Sequence, residues 1–263
     1  MCYDRDARPP IAPLSGAAID GEDITLTSAD GTRFSAYGTR AAEPEGTGIV
    51  ILPDVRGLHA FYTKLAQRFA EHGTHAVAID YFGRTAGTGH RDDSFDFMPH
   101  VQQTRAANIR DDVAAAIAHL REPEGGSALS IFTVGFCFGG SLSWLQAAAD
   151  HGLKGAIGFY GRPLGPTRDG STPAIEHVRD MTCPILGLFG GADQGIPPEA
   201  AQQFDRALTE ANVEHELHTY AGAPHSFFDR RAADFAEASS DAWRRVLDFI
   251  ARNSVMHAQH GHQ

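Results

Sequence analysis

Short apolar runs alternate with longer segments of helical periodicity along this chain, and this alternation restricts the possible folds more than any other feature. Runs that are apolar throughout, such as residues 48–53, are typical of strands buried on both faces of a sheet. Strands that alternate with helices predict an α/β fold in three layers, with a mostly parallel central sheet and helices on both faces. The first two strands are expected to form a hairpin, because a turn at residues 29–31 joins them.

The order of these elements fits a single domain over residues 1–263. We expect an N-terminal extension over about residues 1–20 and a flexible, histidine-rich tail over about 254–263. The predicted strands cover residues 23–27, 33–39, 48–53, 75–80, 130–134, 155–159, 185–189 and 214–220. The predicted helices cover residues 60–72, 108–120, 199–211 and 232–252, and a further helix follows the glycine-rich segment 135–140 and ends at about 149. A polar loop is expected over 81–99.

The net charge of −11, with histidines neutral, limits the partners of the chain. An acidic surface repels phosphates, so we expect neither nucleic acid nor an anionic membrane as a main partner. The three cysteines, Cys2, Cys137 and Cys183, are widely spaced, which favours a reducing cytoplasm over a disulfide framework. We expect no signal peptide and no membrane span, since the apolar stretches are short. The oligomeric state is left open.

The motif Gly-Phe-Cys-Phe-Gly-Gly over residues 135–140 stands between a predicted strand and a predicted helix. A tight strand–turn–helix corner needs glycines, because its backbone is crowded and its apex is strained. The pattern matches the nucleophile elbow of α/β-hydrolases, with Cys137 in the place of the usual serine. A cysteine there would stand at a helix N-terminus, where the helix dipole favours a thiolate. The alternative is a structural cysteine in a glycine-rich turn.

Two further residues follow predicted strands and complete the pattern of a catalytic triad. Asp193 follows a strand that ends in glycines, and His225 lies on a loop between the last strand and the last helix. Each could instead be an ordinary loop residue. The order nucleophile, acid, base is nevertheless that of α/β-hydrolases, and open parallel sheets place their sites at these strand ends. The three residues together predict cleavage of an ester or lactone through a thioester acyl-enzyme.

The segment after the third strand, residues 52–58, is expected to contribute to an oxyanion hole. The α/β-hydrolase fold draws one N–H donor from this loop and the other from the residue after the nucleophile. The candidates are the backbone N–H groups of Val55 and Phe138. Asp54 is unusual beside a thiol and an oxyanion; it either takes part in catalysis or caps the turn.

Together these motifs resemble the dienelactone hydrolase family, over roughly residues 24–249. The Gly-x-Cys-x-Gly-Gly motif is fairly specific, since most α/β-hydrolases use serine. The resemblance implies hydrolysis of a carboxylated enol-lactone such as dienelactone, with no metal and no organic cofactor. It implies a Cys137–Asp193–His225 triad. Asp54 occupies the position of a family carboxylate, usually glutamate, that contacts the resting thiol and helps to activate it. The stretches that carry the resemblance are residues 52–58, 78–84, 135–140, 190–193 and 225–227.

The resemblance also implies arginines that hold a substrate carboxylate. Arg84 stands in the matching loop, and Arg56 could fill the role instead. The family pattern can place an arginine two residues after Phe227, whereas this chain has Asp229 there and Arg230 next. The same stretches supply two more expected substrate-binding residues, Tyr81 and Ser226.

Three alternatives remain open from the sequence. One is a broad-specificity carboxylesterase or thioesterase on the same scaffold. Another is a catalytically silent hydrolase fold that acts as a binding protein, against which the complete triad pattern counts. The third is a metal site made by His257, His260 and His262, which lack neighbouring carboxylates or cysteines to complete a ligand set.

Overall fold

The predicted strands assemble into one eight-stranded sheet in the computed structural model, which describes residues 7–14, 19–89, 91–165, 167 and 171–255. The structure does not describe residues 256–263, so His257, His260 and His262 of the expected histidine-rich tail lie outside the described residues. Cys2 also lies outside them. The strands are β1 (Ile19–Thr27), β2 (Arg33–Ala41), β3 (Thr47–Leu52), β4 (Thr74–Ile79), β5 (Ser130–Phe136), β6 (Gly155–Phe159), β7 (Ile185–Gly190) and β8 (His215–Tyr220).

The sheet has the strand order β1-β2-β4-β3-β5-β6-β7-β8. The β1–β2 and β2–β4 pairs are antiparallel, and every later pair is parallel, so the sheet is mostly parallel as the sequence predicts. All residues of β3 to β7 are buried, whereas the edge strand β8 is mostly half-buried. Continuous burial is expected of parallel strands that helices cover on both faces.

The helices lie on both faces of the sheet, as two glycines of β6 demonstrate. A side chain at Gly155 would meet Phe249, and one at Gly158 would meet Trp144. Positions three residues apart in a strand face opposite sides of the sheet. The helices that carry Phe249 and Trp144 therefore cover opposite faces. The helices are α1 (Ala60–Glu71), α2 (Gly83–Ala86), α3 (Met98–Val101), α4 (Ala106–Arg121), α5 (Phe138–Gln146), α6 (Pro198–Glu210) and α7 (Ala236–Asn253).

Several boundaries differ from the sequence prediction, among them those of the last helix and of the loop over residues 81–99. The last helix begins at Ala236 instead of Ala232, because residues 226–235 form turns held by bonds such as Arg231 N–H to the Ser226 carbonyl. The expected loop over 81–99 contains α2 and the start of α3. Within the described ranges, no helix combines the length and the apolar character needed to cross a bilayer.

Candidate active site

The corner between β5 and α5 is as crowded as the glycine motif predicts. A Cβ on Gly135 would lie 1.8 Å from the carbonyl oxygen of Gly139, and one on Gly139 would lie 2.1 Å from that of Leu52. A side chain at either position would therefore force the helix away from the strands. Cys137 at the apex has φ of 56°, a left-handed conformation that costs free energy in a non-glycine residue.

The strained apex is fixed by the neighbouring strand. The N–H of Cys137 donates to the carbonyl of Phe159, at the end of β6, over 3.0 Å. Cys137 is the N-cap of α5 and is half-buried, whereas the other described cysteine, Cys183, is buried. Burial raises the pKa of the Cys183 thiol to about 12. The elbow therefore presents the thiol of Cys137 at a helix N-terminus, whereas the thiol of Cys183 stays protonated in the core.

The loops after β7 and β8 are bonded to each other. The N–H of Gly191 donates to Tyr220 O over 2.8 Å, and that of Ala192 donates to Ala223 O over 2.9 Å. A Cβ on Gly190 would lie 2.5 Å from the Ala223 carbonyl, so this close approach requires glycine. The Gly-Gly pair before Asp193 thus allows two loops that are distant in sequence to meet.

Asp193 and His225 are hydrogen-bonded where these loops meet. His225 Nδ1 lies 2.6 Å from Asp193 Oδ2, and the Asp193 side chain is 2% exposed. The N–H groups of Gly195 and Ile196 donate to Asp193 Oδ1. Burial raises the pKa of Asp193, but the contact with His225 and the two N–H donors outweigh burial and lower it. An ionised Asp193 only accepts, so Nδ1 carries a proton and Nε2 of a neutral His225 can act as a base.

A cavity of about 420 Å³ contains the thiol and the imidazole. Cys137 and His225 both line it, and so do Val55 and Phe138, the two residues expected to supply the oxyanion hole. The cavity lies at the carboxyl ends of the parallel strands, where sites occur in open α/β sheets. The remaining described wall is mixed. Its polar residues include Thr104, Ser141, Thr167 and Ser171, and its apolar side chains include Ala106, Ile109, Leu142, Leu145, Leu164, Ala174 and Ile196.

Asp54 is buried at the base of the loop that carries Val55. Its Oδ1 accepts the N–H of Arg56 over 2.8 Å, and its own N–H donates to the Tyr62 hydroxyl over 2.9 Å. Gly57 N–H donates to the Asp54 carbonyl and has φ of 80°. The carboxylate therefore caps its own turn, which is one of the two roles that the sequence leaves open.

Sequence comparison agrees with this geometry. A profile of the dienelactone hydrolase family matches residues 34–254. The chain belongs to the dienelactone hydrolase family. It is 30% identical over 257 residues to a Salmonella typhimurium protein named as a candidate carboxymethylenebutenolidase, and the alignment covers 94% of each chain. It is 29% identical over 238 residues to the carboxymethylenebutenolidase of Pseudomonas putida, covering 88% of this chain and 96% of that one.

Solved structures of a candidate dienelactone hydrolase and of an esterase have the same fold. A Klebsiella pneumoniae protein described as a candidate dienelactone hydrolase superposes with a TM-score of 0.78 at 28% identity, covering 89% of this chain and 99% of that one. An esterase from Thermogutta terrifontis has a TM-score of 0.71 at 19% identity, covering 94% and 96%. The α/β-hydrolase fold expected from the sequence is confirmed, and the chain is a carboxylic-ester hydrolase that acts on ester or lactone bonds.

The family resemblance assigned substrate binding to Arg84, but the structure places Arg84 in an ion cluster away from the described cavity wall. Its Nη1 donates to both carboxylate oxygens of Asp112 at 2.9 and 2.8 Å, its Nε donates to Asp30, and its Nη2 donates to Ser28 Oγ. The Asp112 side chain is 1% exposed. Because these partners are local carboxylates, this guanidinium is already neutralised, and we assign it a structural role.

The other four residues expected to hold substrate also lie outside the described cavity wall. Arg56 is buried in the turn that Asp54 caps, and Arg230 is exposed beside Asp229. The Tyr81 hydroxyl donates to the Pro53 carbonyl over 2.6 Å. Ser226 is fully buried with φ of 63°, and its Oγ has no hydrogen-bond partner among the described residues.

The sequence motifs assign no role to three residues at the site: Tyr160 and Arg162 in the cavity wall, and Asp229 behind Tyr160. Arg162 and Tyr160 line the cavity just after β6, whose carboxyl end carries no recognised motif. The Tyr160 ring centroid lies 4.9 Å from that of His225, and its hydroxyl donates to Asp229 Oδ2 over 2.7 Å. Burial raises the pKa of Asp229 to about 7, against the effect of that hydrogen bond.

Proposed function

We propose that the chain hydrolyses its ester or lactone substrate with Cys137 as nucleophile, His225 as base and Asp193 as the acid of the triad. The observation that carries this proposal is the 2.6 Å contact between His225 Nδ1 and Asp193 Oδ2, in a cavity that Cys137 also lines. A carboxylate on Nδ1 fixes the imidazole tautomer and stabilises the imidazolium that forms during reaction. No metal or organic cofactor takes part in these steps.

In the acylation step, His225 Nε2 takes the proton from Cys137 Sγ and the thiolate attacks the carbonyl carbon. The carbonyl oxygen becomes an oxyanion, for which the N–H groups of Val55 and Phe138 are the proposed donors. The intermediate then collapses: the C–O bond to the leaving group breaks, the imidazolium returns its proton to the departing oxygen, and a thioester remains on Cys137. In a lactone the leaving oxygen stays attached to the acyl group.

Deacylation repeats these steps with water as nucleophile. His225 takes a proton from water, the resulting hydroxide attacks the thioester carbonyl, and the C–S bond breaks. The proton on His225 then goes to the departing thiolate, which restores the resting enzyme. Asp54 contributes by holding the turn at residues 54–57, and with it the Val55 donor.

The substrate class that we propose is an activated ester or enol-lactone that carries a carboxylate, as the family resemblance implies. After attack by a thiolate, a stabilised oxygen leaving group departs more readily than an amine does. Amides are therefore expected to be poor substrates. A broad carboxylesterase or thioesterase would instead accept neutral esters equally well. We further propose a reducing compartment such as the cytoplasm, since a nucleophilic thiolate is the form of cysteine most readily oxidised.

The test is steady-state hydrolysis of 4-nitrophenyl esters, a carboxylated enol-lactone and a matched anilide. We compare the wild type with Cys137→Ala and with Cys183→Ala, the control that removes the buried thiol. We expect Cys137→Ala to lose ester and lactone hydrolysis and Cys183→Ala to retain it. Equal activity of the wild type and Cys137→Ala would contradict the proposed nucleophile, and appreciable anilide cleavage would contradict the proposed bond class.

A further inference from the structure

The described wall of the cavity has an unusual charge for this protein. The chain carries a net charge of −11, yet no aspartate or glutamate is among the described residues that line the cavity. Arg162 is the sole lysine or arginine among those lining residues. A positive side chain in a described wall that holds no carboxylate attracts anions, against the field of the acidic surface.

The backbone of Arg162 is fixed against the helix that follows the nucleophile. Its N–H donates to Ser141 Oγ over 2.8 Å. The preceding residue, Gly161, packs so closely that a Cβ there would lie 2.7 Å from the nitrogen of Ser141. Because Ser141 belongs to the first turn of α5, the Cα of Arg162 is held close to the elbow that carries Cys137.

The guanidinium of Arg162 extends from α5 toward the loop of the catalytic acid. Its Nη2 donates to the carbonyl of Gly195 over 3.2 Å, two residues after Asp193. A guanidinium has five N–H donors, and a neutral carbonyl does not cancel its charge. Arg162 is also an exposed residue, so its remaining donors are accessible from the cavity. This differs from Arg84, whose partners are two carboxylates.

We propose that Arg162 binds the carboxylate of the substrate, and that the substrate is an ester in which an aliphatic body joins this carboxylate to the scissile group. The first part follows from the charge and position of Arg162. The aliphatic body follows from the apolar part of the cavity wall, where Ile109, Leu142, Leu145 and Leu164 offer surface for a hydrocarbon chain. This inference rests on the proposed hydrolysis by Cys137.

A purely structural role for Arg162 makes a different prediction. Through the Gly195 carbonyl the guanidinium could brace the loop of Asp193, since Gly195 N–H donates to Asp193 Oδ1. Loss of a brace would disturb the triad and lower kcat for every ester alike. Loss of a carboxylate-binding residue would raise KM for carboxylated esters only. The substrate charge therefore separates the two roles.

The experiment compares mono-4-nitrophenyl adipate with its methyl ester, which has the same body but no carboxylate. We expect the wild type to prefer the acid, and Arg162→Gln to lose about 10- to 100-fold in kcat/KM on the acid, mainly through KM, with a much smaller loss on the methyl ester. Arg162→Lys should recover part of the loss. Arg206→Gln removes the same charge from an exposed site on α6 and should behave as the wild type. Equal losses on both esters, or a wild type without preference, would overturn the proposal.

A binding measurement keeps this proposal separate from the proposed reaction. Calorimetry of adipic acid mono-anilide with Cys137→Ala, and with the same variant carrying Arg162→Gln, needs no turnover. Binding that weakens 10-fold or more on loss of Arg162 supports the carboxylate site, even if neither nitrophenyl ester is hydrolysed and the proposed reaction fails. Binding that is unchanged by Arg162→Gln overturns the site, even if Cys137 proves to be the nucleophile.

Discussion

Two groups of carboxyl side chains in this protein differ in the partners that face them. In the ion cluster of Arg84, Asp112 and Asp30, an arginine neutralises the acids. At the active site, Asp193 faces His225 and backbone N–H groups, and Asp229 faces the hydroxyl of Tyr160. An arginine keeps its charge at every relevant pH, whereas an imidazole gains and loses a proton near neutrality. The first arrangement can only stabilise the fold, and the second can also move protons.

Replacement of Asp193, the proposed acid of the triad, should give the largest effect. Asp193→Asn keeps the shape of the side chain but favours the wrong imidazole tautomer, so kcat should fall by about 10⁴-fold. The variant should unfold close to the wild-type urea midpoint, because a hydrogen bond to His225 remains possible. If activity falls only in proportion to the amount of folded protein, Asp193 has a structural role like that of the carboxyls around Arg84.

Breaking the ion cluster should affect stability and leave catalysis intact. Arg84→Met leaves the buried carboxylate of Asp112 without its guanidinium and should cost about 3–5 kcal/mol in urea unfolding. Adding Asp112→Leu removes the orphaned charge and should recover most of that loss. We expect KM for a carboxylated ester to stay at the wild-type value in the folded Arg84→Met protein. A raised KM with unchanged stability would return Arg84 to the substrate site.

Asp229 should give a pH-dependent effect on stability. Its pKa in the folded protein, about 7, lies above the usual 3.8, so folding favours the protonated form. The stability that this proton provides is complete below about pH 4 and is lost as the pH rises through 7. At about 1.4 kcal/mol per pKa unit, the loss is about 4 kcal/mol.

The comparison with Asp229→Asn isolates this contribution. Asparagine stays neutral, so the variant should gain stability relative to the wild type between pH 4 and pH 8. Urea unfolding at several pH values measures that difference. A difference that is constant over this range would show that Asp229 keeps one charge state throughout, as a carboxylate beside an arginine would.

The smallest effect is expected at the solvent side of the ion cluster. The Asp30 side chain is 45% exposed and contacts Arg84 Nε at 2.8 Å. Exposed ion pairs contribute little and are screened by salt. Asp30→Asn should therefore destabilise far less than Arg84→Met, and the difference from the wild type should shrink as NaCl is added during urea unfolding. A loss as large as that of Arg84→Met would show that Asp30 and not Asp112 dominates the cluster.

The same contrast explains how far the sequence could be interpreted. The elbow at Cys137 is encoded locally by glycines at fixed positions around it. A Cβ at Gly135 or Gly139 would lie only 1.8 or 2.1 Å from a backbone oxygen, so no other residue fits there. The strands of the parallel sheet were likewise predicted from continuous apolar runs. The partners of Arg84, by contrast, lie 54 and 28 residues away, and no local pattern encodes them. The same holds for the 69-residue separation of Tyr160 and Asp229.

Arg162 was missed for a different reason. Open parallel sheets place their sites at the carboxyl ends of their strands, and this rule alone would have pointed to the residues after β6. Arg162 follows β6, which lies between β5 and β7 in the sheet. Expected site residues follow both of those strands, but Arg162 itself matches no motif. The sequence prediction placed the start of the last helix at residue 232 instead of Ala236. The turns of residues 226–235 depend on tertiary hydrogen bonds, such as that from Ser239 Oγ to the Phe227 carbonyl. Helical periodicity alone does not report such bonds.

The most direct test of the account is to trap the acyl-enzyme. The wild type is mixed with a 4-nitrophenyl ester, quenched with acid within the first turnovers, and examined as intact protein and as peptides by mass spectrometry. We predict one acyl group, removable by neutral hydroxylamine as a thioester is, on the peptide that contains Cys137. An acyl group on any other residue, or rapid turnover with Cys137 unmodified and dispensable, would show that Cys137 is not the nucleophile.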